Sequence, residues 1–600
     1  MRDEQLHHIL KETFGYQSFR FEQYNAIISI LDGIDTLAIM PTGGGKSLCY
    51  QVPALYLEGV TLVISPLISL MQDQVMNLRE YGVEAAFLNS SLNYQQVKST
   101  KKQILDGKLK LIYVSPEGIL SQSLIDFFKQ VKISLIAIDE AHCVSQWGHE
   151  FRKDYTRLGE LKDHYPGVAV IALTATADAK TRTDIASQLR LKDPRIFISS
   201  FDRPNIKYLI LERKSEIEQL DAFIKGSHSN DTGIVYCLSR DKVERTTEAL
   251  KKLGHPAVSY HAGLSQEERR KSQSLFNKEE KIIVVATIAF GMGIDRPDVR
   301  FVAHLDLPKS IEGYYQETGR AGRDGKASTA WMIYGLQDVV KLSQMLETTE
   351  ADESYKKVAR HKLDSMLALC ETAHCRRQYL LRYFGQSSSS SCGNCDSCIE
   401  TPILWDATVD AQKVLSTIFR TGQVFGAGHI IDVIRGSKSA KIHERGHDSL
   451  SVYGIGKDRP KEHWNSVLRQ LLNMDYITIK NWDYRSLALT EKSRKILSSE
   501  ERLSLRQQEE IKETPSKKEK HTSMGNQYGR SELFQRLKEL RNQIAREKNL
   551  PSYVVFNDKS LHDMCTLLPR DADEFLMVHG VGQSKLENYG EEFLTIINQT

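Results

Sequence analysis

Thr36-Leu37-Ala38-Ile39-Met40, then Pro41-Thr42-Gly43-Gly44-Gly45-Lys46-Ser47, then Leu48-Cys49-Tyr50-Gln51 is the stretch on which the fold turns. A short apolar strand passes through a glycine run into a helical segment, which gathers successive backbone N–H groups and a helix N-terminus where phosphates can be cradled. Thr42, Gly43, Gly44 and Gly45 allow close approach, Lys46 reaches the outer phosphates, and Ser47 offers a hydroxyl to a magnesium ion. Met40 stands where such a loop usually has its first glycine, a relaxed form common in two-lobed motor ATPases. A glycine-rich turn without this chemistry has no need of Lys-Ser at its end.

Outward from this loop, apolar runs at Thr61–Ser65, Leu111–Ser115, Leu135–Asp139 and Ala169–Leu173 alternate with helical periodicity. That alternation predicts a parallel sheet covered by helices. A second series, Thr232–Cys237, Ala257–His261, Ile282–Ala286, Phe301–Leu305 and Ala330–Tyr334, predicts a second α/β lobe. Asp139 and Glu140 end one apolar strand, where one carboxylate can hold the metal and the other can position and deprotonate a water. An Asp-Glu pair after a strand is usually a solvated loop, but in register with the phosphate loop the catalytic reading is preferred. The second lobe carries Gln316-Glu317-Thr318-Gly319-Arg320-Ala321-Gly322-Arg323. Singly, an arginine is more often a surface ion pair; at a lobe boundary, Arg320 and Arg323 can stabilise charge developing on a transferred phosphoryl group once the lobes close.

Six hundred residues imply roughly three to five domains. The composition, 40% apolar and 26% charged, is ordinary, and no apolar stretch approaches the roughly 20 residues of a membrane span. The opening Met1-Arg2-Asp3-Glu4 is unlike a secretory signal, so a cytoplasmic protein is expected. Nine cysteines are present. Cys392, Cys395 and Cys398 form C-x2-C-x2-C with Cys375 upstream, a spacing that suits structural zinc or an iron–sulfur cluster, whereas Cys49, Cys143, Cys237, Cys370 and Cys565 are scattered. A five-serine tract, Ser387 to Ser391, reads as a connector. Between Arg435 and Lys461, seven Lys/Arg face three Asp/Glu, a plausible phosphate surface. Helices followed by Tyr476–Ile479 and Ser486–Leu489 predict a winged-helix module.

The chain's longer motifs resemble those of the RecQ helicases. The resemblance is carried by the phosphate loop through Gln51, Asp139 to His149, Ala172-Leu173-Thr174-Ala175-Thr176-Ala177, Ala286 to Asp295 and Tyr314 to Gly325. It spans nearly the whole chain and resembles bacterial members with one terminal HRDC module. It implies two tandem RecA-like lobes at 1–202 and 203–335, a helical zinc-binding module at 336–402, a winged-helix domain at 403–499, a charged linker at 500–526 and a small all-α HRDC domain at 527–600. The implied activity is ATP-dependent 3′-to-5′ DNA unwinding in recombination, fork processing and repair, with ATP, Mg2+ and Zn2+ as cofactors. The implied partners are single-stranded and duplex DNA, a single-strand-binding protein and a topoisomerase, near the nucleoid.

The resemblance also assigns residues. Gln23 would hydrogen-bond adenine, while Tyr16 and Arg20 would stack on it. Zinc would sit on Cys375, Cys392, Cys395 and Cys398, leaving Cys370 without a metal bond. Trp147, Phe151 and Arg152 would form the aromatic-rich loop that senses single strands; base stacking contributes roughly 1–3 kcal/mol per base. Arg435, Lys438, Lys441 and Arg445 are expected on duplex phosphates, Trp482 at the hairpin turn and Tyr553 on a base. For the HRDC domain, weak single-strand contact and protein docking stand equal, because nine Lys/Arg from Gln527 onward face eleven acids. Val578-His579-Gly580-Val581-Gly582 looks like a phosphate-touching glycine turn. An RNA helicase and a DNA-binding scaffold with a vestigial ATPase are the alternatives. The zinc and winged-helix features oppose the first, and the intact Lys46, Ser47, Asp139, Glu140, Arg320 and Arg323 oppose the second.

Overall fold

The computed structural model describes residues 1–145, 152–291, 296–349, 352–387, 391–481, 486–507 and 527–599. Seven parallel strands build the first lobe: β1 (Thr36–Ile39), β2 (Val60–Ile64), β3 (Ala85–Leu88), β4 (Leu111–Val114), β5 (Ile133–Ile138), β6 (Val170–Thr174) and β7 (Arg195–Ile198). Their order is β3-β4-β2-β5-β6-β1-β7. Central strands such as Val60-Thr61-Leu62-Val63-Ile64 are buried at every position, as strands covered on both faces must be. Each fully buried Leu or Ile contributes about 1.5–3 kcal/mol. Asp35 pins the far edge of the sheet: its carboxylate accepts from Lys162 Nζ at 2.7 Å, Val170 N at 2.9 Å and Lys192 N at 2.8 Å.

The second lobe is a six-stranded parallel sheet of β8 (Ile206–Glu212), β9 (Thr232–Tyr236), β10 (Ala257–Tyr260), β11 (Ile283–Ala286), β12 (Val299–His304) and β13 (Ser328–Tyr334), ordered β10-β11-β9-β12-β13-β8. The two α/β lobes, the cysteine-bearing helical module, the winged helix and the terminal helical domain confirm the multidomain architecture expected from sequence. Strands β3, β7 and β8 are additions to that expectation.

Helices Thr408–Arg420, Ala427–Arg435 and Lys461–Asn473 pack around the buried Trp464, with an antiparallel hairpin of β15 (Ile477–Asn481) and β16 (Ser486–Leu489) beside them. One boundary moves. Ser504–Arg506, expected within the charged linker, forms strand β17 against β14 (Leu404–Asp406), and Leu503 and Leu505 enter the winged-helix core. Five helices between Gln527 and Asn598 then close over their own apolar interior, including Phe556, Phe575 and Phe593. Among the described residues no helix is long and apolar enough to cross a membrane.

Candidate nucleotide cleft, zinc centre and DNA surface

The phosphate loop leaves β1 at the carboxyl edge of the first sheet, where open α/β sheets bind their ligands. Gly43 and Gly45 adopt φ of 80° and 75°, a conformation side chains disfavour. At Gly44 a Cβ would lie 2.9 Å from the Pro41 carbonyl. Only glycine lets this backbone turn back so tightly ahead of helix Leu48–Tyr56. Lys46 Nζ reaches the Met40 carbonyl at 3.4 Å, so its amine hangs over the loop.

Two strands away, Asp139 and Glu140 follow β5. Glu140 sits at φ 49°, a strained left-handed position, and its N–H donates to Asp139 Oδ1 at 2.9 Å. Burial, reinforced by the Glu140 charge and opposed by Lys46, raises the Asp139 carboxyl to about 7. The buried His142 bonds Thr174 Oγ1 at the end of β6 through Nδ1 at 3.0 Å and brings that nitrogen within 3.3 Å of Glu140 Oε2.

The second lobe completes the cleft. Thr42 to Ser47, Asp139, Glu140, Gln316, Arg320 and Arg323 all line one cavity of about 690 Å3. The buried Arg320 donates to the Gly291 carbonyl, and its Nε has no hydrogen-bond partner among the described residues. A Cβ on Gly43 would lie 3.2 Å from Arg323 Cγ, so the arginine segment touches the phosphate loop directly. The closure is held by Arg203, which sequence reading missed. Its guanidinium donates to Thr42 O at 2.7 Å, Gly319 O at 3.1 Å, Ala321 O at 2.8 Å and Gly322 O at 3.0 Å.

The base-recognition candidates border the same cavity. Gln23 is buried: its amide donates to Gly44 O at 3.2 Å and Gly45 O at 2.9 Å and accepts from Arg20 N at 2.8 Å. The Arg20 guanidinium lies 6.0 Å from the centre of the Tyr16 ring.

The thiolates of Cys375, Cys392, Cys395 and Cys398 lie within 4.8 Å of one another, a compact four-sulfur shell of the kind that encloses structural zinc. Cys370 is buried outside this group. The centre is knitted to the edge of the second sheet. Tyr208 of β8 bridges Cys395, Asp396 accepts from Ile210 N at 3.3 Å and pairs with Arg376 at 2.9 Å, and Arg377 donates to Ile206 O at 2.8 Å.

On the winged helix, Arg435, Lys438, Lys441 and Arg445 are all exposed. Lys441 and Arg445 border a cleft of about 2100 Å3 between the winged helix and the second lobe, which Arg459 and Lys461 of the winged helix and Lys214 of the second lobe also line. This is a cationic surface suited to nucleic-acid phosphates.

Family models match in the same order along the chain: DEAD/DEAH box helicase over residues 21–185, helicase conserved C-terminal domain over 215–325, RecQ zinc-binding over 336–399, RQC domain over 401–514 and HRDC domain over 530–597. The chain is 47% identical over 598 residues to the ATP-dependent DNA helicase RecQ of Haemophilus influenzae, covering 98% of this chain and 95% of that one. It is 37% identical to the Bacillus subtilis protein of the same name, covering 98% and 97% respectively. The chain belongs to the RecQ family of DNA helicases. The cysteine cluster is accordingly the RecQ zinc site.

Other RecQ-derived expectations meet the structure unevenly. Trp147, Phe151 and Trp482 lie outside the described residues. Arg152 is half-buried and donates to the Pro66 carbonyl at 2.9 Å. Tyr553 lines the nucleotide cavity, and the Val578–Gly582 turn of the HRDC domain rests on the first lobe. His142 was within the quoted Asp-Glu-Ala-His run, so its signal was present. Arg203 carried none, and His579 only that of the glycine turn around it, because their roles depend on which distant groups they meet.

Proposed function

We infer that this chain hydrolyses ATP to move 3′-to-5′ along one DNA strand and separate the duplex ahead of it, serving recombination, replication-fork processing and repair in the cytoplasm. The observation that carries the reading is the shared cavity, in which the phosphate loop and carboxylates of one lobe meet the two arginines of the other. A machine that burns nucleotide at a boundary between two bodies converts hydrolysis into relative motion.

Within it, Lys46 binds the outer phosphates. Ser47 and Asp139 would hold Mg2+, which would supply charge neutralisation at the phosphates. Glu140, with His142 behind it, orients and deprotonates the attacking water, while Gln316, Arg320 and Arg323 stabilise charge on the departing phosphate. Tyr16, Arg20 and Gln23 receive the adenine. Trp147, Phe151 and Arg152 report single-stranded DNA to the cleft. Arg435, Lys438, Lys441 and Arg445 hold duplex phosphates at forks or junctions, Trp482 stands at the strand fork, and Tyr553 belongs to the HRDC contribution. A single-strand-binding protein and a topoisomerase are the partners this activity calls for. The domain limits at 202, 335 and 402 fit the strand series, with the winged helix extended through residue 507.

Lys46→Ala tests the core of the reading. ATP turnover stimulated by single-stranded DNA should fall at least about 100-fold, with DNA binding retained, because one group at the transferring phosphate supplies several kcal/mol. Unwinding assays on labelled DNA and RNA duplexes check the substrate; preference for RNA would displace the DNA assignment.

A further inference from the structure

The HRDC domain does not stand apart from the motor. Its glycine turn interlocks with the end of helix Arg2–Phe14: Gly580 N–H donates to Gly15 O at 2.9 Å, and Gly15 occupies a left-handed cap at φ 69°. A Cβ on Gly15 would lie 2.3 Å from Val581 N, and one on Gly582 would lie 2.4 Å from Thr13 O. Beside this backbone contact, Tyr589 and Ser584 donate to the Glu80 carboxylate and carbonyl at 2.6 and 3.2 Å.

This docking delivers side chains to the nucleotide cavity. His579 Nε2 lies 3.0 Å from Arg20 Nη2, and its ring centre is 5.2 Å from that of Tyr16. Arginine can only donate, so His579 Nε2 accepts and the ring's proton resides on Nδ1. That Nδ1 is buried with no hydrogen-bond partner among the described residues, an arrangement that costs about 1–3 kcal/mol unless something accepts from it. Burial together with Lys559 and Arg20 lowers the His579 ring to about 4, so it is neutral at physiological pH. Lys559 and Asn557 line the same cavity, adding a cation and an amide to a space already bordered by Lys46, Arg320 and Arg323. So cationic a chamber favours an anion.

We propose that the HRDC domain is the third wall of the nucleotide cleft, and that His579 is a positioning residue that holds the Arg20 guanidinium for stacking on the base. Docking of the domain and binding of nucleotide then reinforce one another, since whatever favours one state of the shared surface favours both ligands equally. This rests on the reading of the cavity as the ATP site.

Gly582→Ala separates docking from folding. Its φ of −99° suits alanine, so the added methyl burdens only the contact with Thr13 and Glu12. In the full chain, His579→Ala should weaken Mg·ADP binding by calorimetry and raise KM for ATP about five- to tenfold, the worth of one charge-assisted hydrogen bond, with kcat within about twofold. His579→Gln keeps an acceptor and should restore most of the loss. Gly582→Ala should reproduce the effect, and the double variant should be no worse than either single. Hydrogen exchange should rise at Glu12 to Gly15 in Gly582→Ala while the HRDC core amides stay protected, which marks undocking rather than unfolding. Mg·ADP affinity equal to the parent's in both single variants overturns the proposal. Tighter binding overturns it too, by showing that the domain covers the base platform. If Lys46→Ala also leaves Mg·ADP binding unchanged, the ATP-site reading itself fails and takes the proposal with it.

Discussion

Arg203 shows how much one side chain can decide. Four carbonyls, one on the phosphate loop and three on the arginine segment, converge on a single guanidinium. Lysine offers a point charge with at most three donors in place of a planar fork, so it cannot reproduce all four contacts. Arg203→Lys should therefore lower ATP turnover about 10- to 100-fold through misplacement of Arg320 and Arg323, with nucleotide affinity less affected; single-turnover and equilibrium binding measurements separate the two. Lys585 makes a second prediction. Its Nζ donates to Val554 O at 2.7 Å and lies 4.7 Å above the Tyr81 ring of the first lobe, and burial lowers its amine to about 8 against the pull of Glu80. A base with a lowered folded pKa contributes stability that is complete above its ordinary value of 10.5 and lost as pH falls through about 8. HRDC docking, followed by fluorescence transfer between domain and lobe, should strengthen as pH rises from 8 to 10.5, and Lys585→Met should flatten that rise. The phosphate loop, the carboxylates and the cysteines were legible because their chemistry demands fixed local spacing. Arg203 and Lys585 were not, and His579 was legible only as part of a glycine turn, since no local pattern names the partner that each meets far along the chain.

Elements were legible mainly through the strength of their apolar runs. Strands covered on both faces were read from sequence, and so was the partly buried edge strand β10. Those missed carry weaker patterns: β7, Arg195-Ile196-Phe197-Ile198, is partly exposed at a sheet edge, and β3, Ala85-Ala86-Phe87-Leu88, is rich in helix formers. The pairing of β14 with β17 joins segments on either side of the winged helix, and no local pattern announces it. The edge strand β8 also defines what the zinc centre does. Through Tyr208, Ile206 and Ile210 the cysteine module covers that edge, which would otherwise present unpaired backbone groups. Elemental analysis should find about one zinc per chain. Because a structural zinc site contributes about 10–16 kcal/mol, chelation should loosen β8 and lower the melting temperature before it changes turnover. Unaltered hydrogen exchange across residues 206–212 after zinc removal would refute this coupling.

At the scale of the whole molecule, the HRDC domain holds its two neighbours by different means. Toward the first lobe it uses backbone interlocking, the Tyr589 and Ser584 hydroxyls, the Arg20–His579 bond and Lys585 packed over Tyr81. Toward the second it relies on Lys538–Glu280 at 3.0 Å, Lys326–Asp558 at 3.7 Å and amide contacts from Asn542 and Asn549. Such partly exposed ion pairs contribute about 0.2–1 kcal/mol each and fade with salt. Raising salt from about 0.05 to 1 M, where the screening length shrinks to about 3 Å, should lengthen the HRDC-to-second-lobe distance while leaving HRDC-to-first-lobe unchanged. Equal movement on both sides in a doubly labelled chain would contradict the asymmetry. The domain would thus ride on one lobe and brush the other as the cleft opens.

Arg20 and His579 stand 559 positions apart along the chain yet share a hydrogen bond. On a ribosome, Arg20 emerges long before the His579 that it will meet. Until the HRDC helices have left the exit tunnel, the nascent lobes can gather their sheets and the zinc module its metal, while Arg20 still lacks its His579 partner. Loop-closure entropy grows only as the logarithm of the span, so this late union is thermodynamically mild. Its timing nevertheless makes the Arg20–His579 contact a report that the HRDC domain has been made and has docked.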